Sequence, residues 1–82
     1  MIRYKVDILQ KLADAGFKPY YIRKVKLLSE SSLQRFREGG KVSLDTLNII
    51  CQLLDCKIED LIEFIPDDET EDFIIQRLKS QK

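Results

Sequence analysis

SESSLQRFREGGKVSLDTLNIICQLLDCKIEDLIEF, residues 29–64, contains the starts and stops of consecutive helices. Ser29 can accept a hydrogen bond from the backbone N–H of Ser31 or Ser32, which is how a side-chain oxygen opens a helix. Leu33 and Phe36 then fall three residues apart and face inward together. Gly39-Gly40 closes that helix, one glycine taking the left-handed conformation that a side chain resists. Ser43 caps the next helix, with Asp45 in its first turn, where the helix dipole favours negative charge. Leu44, Leu47, Ile50, Cys51 and Leu54 give this helix its apolar stripe. Asp55 stands where the chain must reverse, and Cys56 points inward. A further helix is expected from Ile58 to Phe64, burying Leu61, Ile62 and Ile65, with Pro66 as its stop.

Upstream of this stretch, Val6, Leu9, Leu12 and Ala13 recur at helical spacing and Ala15-Gly16 follows as a stop, so residues 5–15 read as a first amphipathic helix with Ile8 slightly off its stripe. After Phe17-Lys18, Pro19 suits the first turn of a second helix, where its missing N–H has no partner to lose. That helix runs through Tyr20, Ile22 and Val25 and stops near Lys26-Leu27. Adjacent Tyr20 and Tyr21 cannot share one helix face, so one is expected in the core and the other outside. Downstream, residues 67–79 open with acids and close with bases, the order a helix dipole favours. They are expected to form a sixth helix whose Phe73, Ile74 and Leu78 either pack back on the domain or meet a partner. No segment sustains period-two alternation, so the expected fold is all-α. Residues 1–66 form the domain and 67–82 an acidic C-terminal extension.

The chain has 82 residues, with 14 Lys plus Arg, 14 Asp plus Glu and no His. That is one small domain without room for a large composite active site. Cys51 and Cys56 offer two soft ligands where structural zinc takes four, so both are read as small apolar residues in a reducing compartment, and neither a metal nor a cofactor is expected. No apolar run approaches a membrane span or a signal peptide, and a cytoplasmic protein is expected. The zero net charge hides a dipole: residues 1–41 carry ten basic against four acidic side chains, and residues 42–82 carry four against ten. The first half is thus suited to a polyanion.

A short helix, a tight connection, a helix beginning Leu-Ser-x-Ser-Ser-Leu and ending Glu-Gly-Gly, and then Ser-Leu-Asp-Thr-Leu together resemble the helix-turn-helix of the phage repressor and Cro superfamily, over about residues 5–65. The resemblance is to its small single-domain bacterial or phage members, and it implies a five-helix lambda repressor-like domain that binds double-stranded DNA in transcription regulation. Two positions depart from the family's pattern. Arg23 stands where a small residue is usual, and Leu27 where glycine is usual. Arg23 must therefore snorkel outward or the helices must sit further apart, and the turn is expected to be wider. A helix entering the major groove N-terminus first presents its first-turn side chains to base edges. By resemblance that role falls on Glu30, Ser31 and Arg35, with Gln34 beside them. Arg35 can pair bidentately with guanine, while Glu30 can accept from cytosine N4 yet also repels phosphates. Phosphate contacts are assigned to Lys18, Tyr20, Tyr21, Arg23, Lys24, Lys26, Arg37 and Lys41, with backbone N–H groups at Ser29, Gly39 and Gly40.

A domain this small spans few base pairs, so useful specificity calls for a homodimer on two half-sites. Its candidate contacts are Ile58, Ile62, Phe64, Ile65, Phe73 and Ile74. The expected function is a repressor-like, sequence-specific DNA-binding transcriptional regulator. The alternative is a protein-interaction module, antitoxin-like or adaptor, that keeps the same fold. An enzyme is not expected, since there is no nucleophile–base pair and no glycine-rich phosphate loop. No small-molecule ligand is evident.

Overall fold

In the computed structural model, which describes residues 1–81, the order is strand β1 (Ile2–Tyr4), helices α1 (Ile8–Asp14), α2 (Pro19–Lys24), α3 (Glu30–Glu38) and α4 (Leu44–Leu54), a 3-10 turn (Ile58–Asp60), strand β2 (Ile62–Phe64) and helix α5 (Asp68–Lys79). Side-chain oxygens open four of the helices: Asp7 accepts from Gln10 N–H, Ser29 from Ser32, Ser43 from Thr46 and Asp67 from Thr70. The ends of α1 to α4 are equally uniform. Each is followed by one residue with positive φ, namely Gly16 (96°), Lys26 (58°), Gly39 (71°) and Asp55 (49°). The next N–H then reaches back five residues, from Phe17 to Leu12, Leu27 to Ile22, Gly40 to Arg35 and Cys56 to Cys51. This left-handed closure satisfies carbonyls that a helix end leaves open and reverses the chain within two residues.

The reversals bring the apolar faces together. Ile8 and Leu12 from α1, Ile22 from α2, Leu28 from the turn, Leu33 and Phe36 from α3, Ile50 from α4, and Leu61 form one buried cluster. Ile8, off the stripe in the sequence reading, is therefore core, because α1 begins at residue 8 and not at 5. Leu44 is a second difference. It is 83% exposed, since it occupies the first position of α4, a full turn before Leu47 enters the core.

The fold is not all-α. Residues 58–64, expected as a helix, split into the 3-10 turn and β2, which pairs antiparallel with β1 in the register Ile2 with Phe64, Arg3 with Glu63 and Tyr4 with Ile62. Leu61 is buried as expected, Ile62 and Ile65 are half-buried, and Phe64 is exposed. Strand pairing wins because the backbone groups of Ile62–Phe64 find partners some sixty residues away, and a cross-strand pair joins Arg3 Nε to Glu63 Oε1 at 3.0 Å. The helix at residues 68–79 is accordingly the fifth, and no sixth helix is present among the described residues. None of its residues is buried. Asp67, its cap, also meets the Met1 ammonium at 2.7 Å, and the two contacts hold its carboxyl down to about 2.

Tyr4 ties the sheet to the helical body. Its ring packs on Phe36 with centroids 5.6 Å apart, and its hydroxyl donates to the carbonyl of Gly40, just past α3. Removing that donor leaves a partly buried carbonyl short of its bond. Tyr4→Phe is expected to lower the stability to urea by about 1 kcal/mol with an unchanged slope.

Candidate nucleic-acid interface

Helix α2 has six residues, and only Ile22 among them is buried. Neither tyrosine is core: Tyr20 is 76% and Tyr21 46% exposed. Ile22 alone fills the inward position, because the closure at Lys26 turns the chain before a second face of α2 could pack. Tyr21 lies beside Phe17, their centroids 6.4 Å apart, and neither tyrosine hydroxyl is hydrogen-bonded among the described residues. The left-handed residue of the turn is Lys26, one position before the Leu27 that stands where glycine is usual. A side chain in that conformation costs roughly 1 to 2 kcal/mol. Leu27 and Leu28, packed on and in the core, hold it there.

Helix α3 is fixed at both ends, by the Ser29 cap (3.1 Å to Ser32 N) and by the closure through Gly39. Leu33 and Phe36 anchor its inner face, and Glu30, Ser31, Gln34 and Arg35 all project to solvent. Gln34 Nε2 donates to Glu38 Oε1 at 2.8 Å, and Ser31 Oγ lies 3.1 Å from Ser29 Oγ. Arg35 makes no ion pair or side-chain hydrogen bond among the described residues.

Arg23 does snorkel outward. Its Nε pairs with Oε1 of Glu30, joining α2 to the first turn of α3. The sequence reading treats Arg23 as a phosphate contact and Glu30 as a separate base contact; in the structure they are one unit. The signal was available as opposite charges seven residues apart across a helical turn, but helix-face rules cover only pairs within one helix.

The remaining cations are exposed. Arg23 and Lys26 border a depression with Leu28, Ser29 and Glu30, at the entry of α3. Lys41 lies with Gly39 and Gly40 at the other end, and Arg37 faces Pro19 and Gln10 toward α1. Lys18 and Lys24 flank α2. The N–H groups of Gly39 and Gly40 are already bound to the carbonyls of Phe36 and Arg35, so they are not free donors for phosphate as the sequence reading has it. Cys51 and Cys56 are half-buried free thiols, burial pushing the Cys56 thiol up. No cluster of metal-ligating side chains occurs among the described residues. No helix among them is long and apolar enough to cross a membrane.

Two short helices joined by a tight turn, the second presenting a polar face, define a helix-turn-helix. Residues 7–67 match the Cro/C1-type HTH DNA-binding domain, and the chain belongs to that family. Among solved structures it is similar to the transcriptional regulator VanUg, with 28% identity and a TM-score of 0.59 over 80% of this chain and 89% of that one. Comparison with curated proteins gives no match.

Both members of the Arg23–Glu30 pair are substantially exposed, so the pair contributes little to stability. A double-mutant cycle with Arg23→Ala and Glu30→Ala is expected to give a coupling of about 0.2–1 kcal/mol that shrinks with added salt. A coupling of zero at low salt would show that the two side chains are not held together in solution.

Proposed function

We propose that the protein is a sequence-specific DNA-binding transcriptional regulator, repressor-like, that reads the major groove of double-stranded DNA with α3. The observation that carries this reading is the outward face of α3. Ser31, Gln34 and Arg35 stand on one side of a helix held by caps at both ends, and among the described residues Arg35 has no ion-pair or side-chain hydrogen-bond partner to give up. Family membership and the likeness to a transcriptional regulator support it. The protein then acts by binding and not by catalysis.

In this reading Arg35 pairs with a guanine edge, and Ser31 and Gln34 bond neighbouring bases or phosphates. Lys18, Lys24, Lys26 and Lys41 grip the backbone on either side, with the exposed hydroxyls of Tyr20 and Tyr21 as further donors. If about four to six phosphates are neutralised, log affinity falls with log salt by about 0.9 per phosphate. Glu30 is tolerable near phosphates because Arg23 offsets its charge. The exposed acidic residue and the balanced net charge are what favour the second reading, a protein-interaction module on the same fold.

The test is selection of labelled duplexes from a random library at two salt concentrations, with variants alongside. The expected result is an enriched motif in which Arg35→Ala relaxes one position, at a cost of about 1–3 kcal/mol on the preferred sequence. Lys24→Ala or Lys41→Ala should weaken all sequences alike and reduce the salt slope by about 1. Weak, motif-free binding indifferent to Arg35→Ala would overturn the DNA reading in favour of the interaction module.

A further inference from the structure

The closure that ends α4 brings two thiols together. In a closure of this kind the N–H that reaches back five residues joins two residues whose side chains meet at the helix end. At the end of α1 the two are Leu12 and Phe17, and at the end of α2 they are Ile22 and Leu27, apolar pairs packed in and on the core. At the end of α4 they are Cys51 and Cys56, with the N–H nitrogen of Cys56 3.1 Å from the Cys51 carbonyl oxygen. Standard backbone lengths on either side of that bond keep the two Cα atoms within about 7 Å of each other. Disulfides usually span Cα separations of about 4.4–6.8 Å. Burial, and then the charge of the neighbouring Cys51, push the Cys56 thiol up, so the pair rests as two thiols. Neither is sealed in. Both are half-buried, and Cys56 lines an open depression with Lys11, Leu54 and Asp60 through which a small molecule reaches it.

We propose that Cys51 and Cys56 form a modification site, a dithiol that a hydroperoxide closes reversibly to a disulfide within one chain. One sulfur, as its thiolate, attacks the peroxide. The O–O bond breaks, a sulfenic acid forms, and the other oxygen leaves as water or an alcohol. The second sulfur then gives up its proton and displaces the sulfenic oxygen, so that the S–S bond forms as the S–O bond breaks and a second water leaves. Two electrons pass from the sulfurs to the peroxide, and a dithiol reductant returns them. The new bond joins the last turn of α4 to the segment entering the 3-10 turn. The left-handed conformation of Asp55 already sets the two cysteines together, so closure needs no rearrangement of α4. The cross-link restrains the unfolded chain instead, which makes the oxidised domain the more stable form. Two small apolar residues would pack the same corner without this chemistry. In a reducing compartment a bond of this kind forms transiently, which suits a site that responds to an oxidant.

The test is treatment of the full chain with hydrogen peroxide at low protein concentration, followed by intact-mass spectrometry, peptide mapping without reductant, and urea unfolding. The expected product has lost two hydrogens, carries a Cys51–Cys56 cross-link, runs as one chain on a non-reducing gel, and regains both thiols with dithiothreitol. Its urea midpoint should lie above that of the reduced protein. Cys51→Ala and Cys56→Ala should each keep a cooperative melt under reducing conditions, and under peroxide each should gain oxygen atoms or cross-link between chains in place of the internal bond. Two thiols that stay open to alkylation after peroxide overturn the proposal, as do cysteines that advance separately to sulfinic acids or pair only between chains. An internal disulfide that lowers the urea midpoint overturns the claim that the turn is already shaped for it. None of these readouts involves DNA, so their failure leaves the DNA reading untouched.

Discussion

Burial of one apolar side chain from each of four short helices is the condition on which everything else rests. Leu12, Ile22, Leu33 and Ile50 each have no exposed surface, and they come from helices of 7, 6, 9 and 11 residues. None is long enough to persist alone in water, because the cost of nucleating a helix is not recovered over two or three turns. They persist because each turns back at once into the others. The left-handed closure recurs at Gly16, Lys26, Gly39 and Asp55, and in three of the four the residue that reaches back is apolar, packing Phe17, Leu27 or Cys56 at the rim of the core. The same device that satisfies the helix ends thus sets the angles at which the helices meet.

How legible this was in the sequence follows from how local each signal is. Ser29, Ser43, the Gly39-Gly40 pair and Asp55 act within a few residues, and they placed α3 and α4 to within a residue. The sheet depended on a pairing between residues 2–4 and 62–64, for which three-residue strands leave no alternation to see. Leu61, Ile62 and Ile65 fit a helical spacing equally well, as short apolar runs do. Lys26 shows the opposite limit. A lysine carries no sign of positive φ, and only the packing of Leu27 and Leu28 forces it there. Of the interface, the outward set Ser31, Gln34 and Arg35 follows from the inward pair Leu33 and Phe36 by helix geometry alone. The Arg23–Glu30 pair, made between two helices, did not follow.

That pair bears on how an acidic residue can stand at the tip of the helix proposed to read DNA. At the start of α3 the helix dipole stabilises the Glu30 carboxylate, and the guanidinium of Arg23 offsets its charge toward solvent. The residue that replaces the usual small side chain on α2 is therefore not simply an obstacle to close helix packing. By extending outward it leaves the inner side of α2 to Ile22, which lies in the same buried cluster as Leu33, and its charge lands where the acid needs it.

The sheet is the mechanical link between the two ends of the molecule. On one side Tyr4 joins it to α3 through Phe36 and the Gly40 carbonyl. On the other, Ile65 N–H bonds to the Met1 carbonyl, and the chain leaves β2 through Pro66 into α5. Three residue pairs thus fix where α5 departs relative to α3. The division of charge along the chain fits the same plan. The basic half contains α2 and α3, and most of the acidic half lies from the 3-10 turn onward, where on the proposed reading it would oppose DNA least.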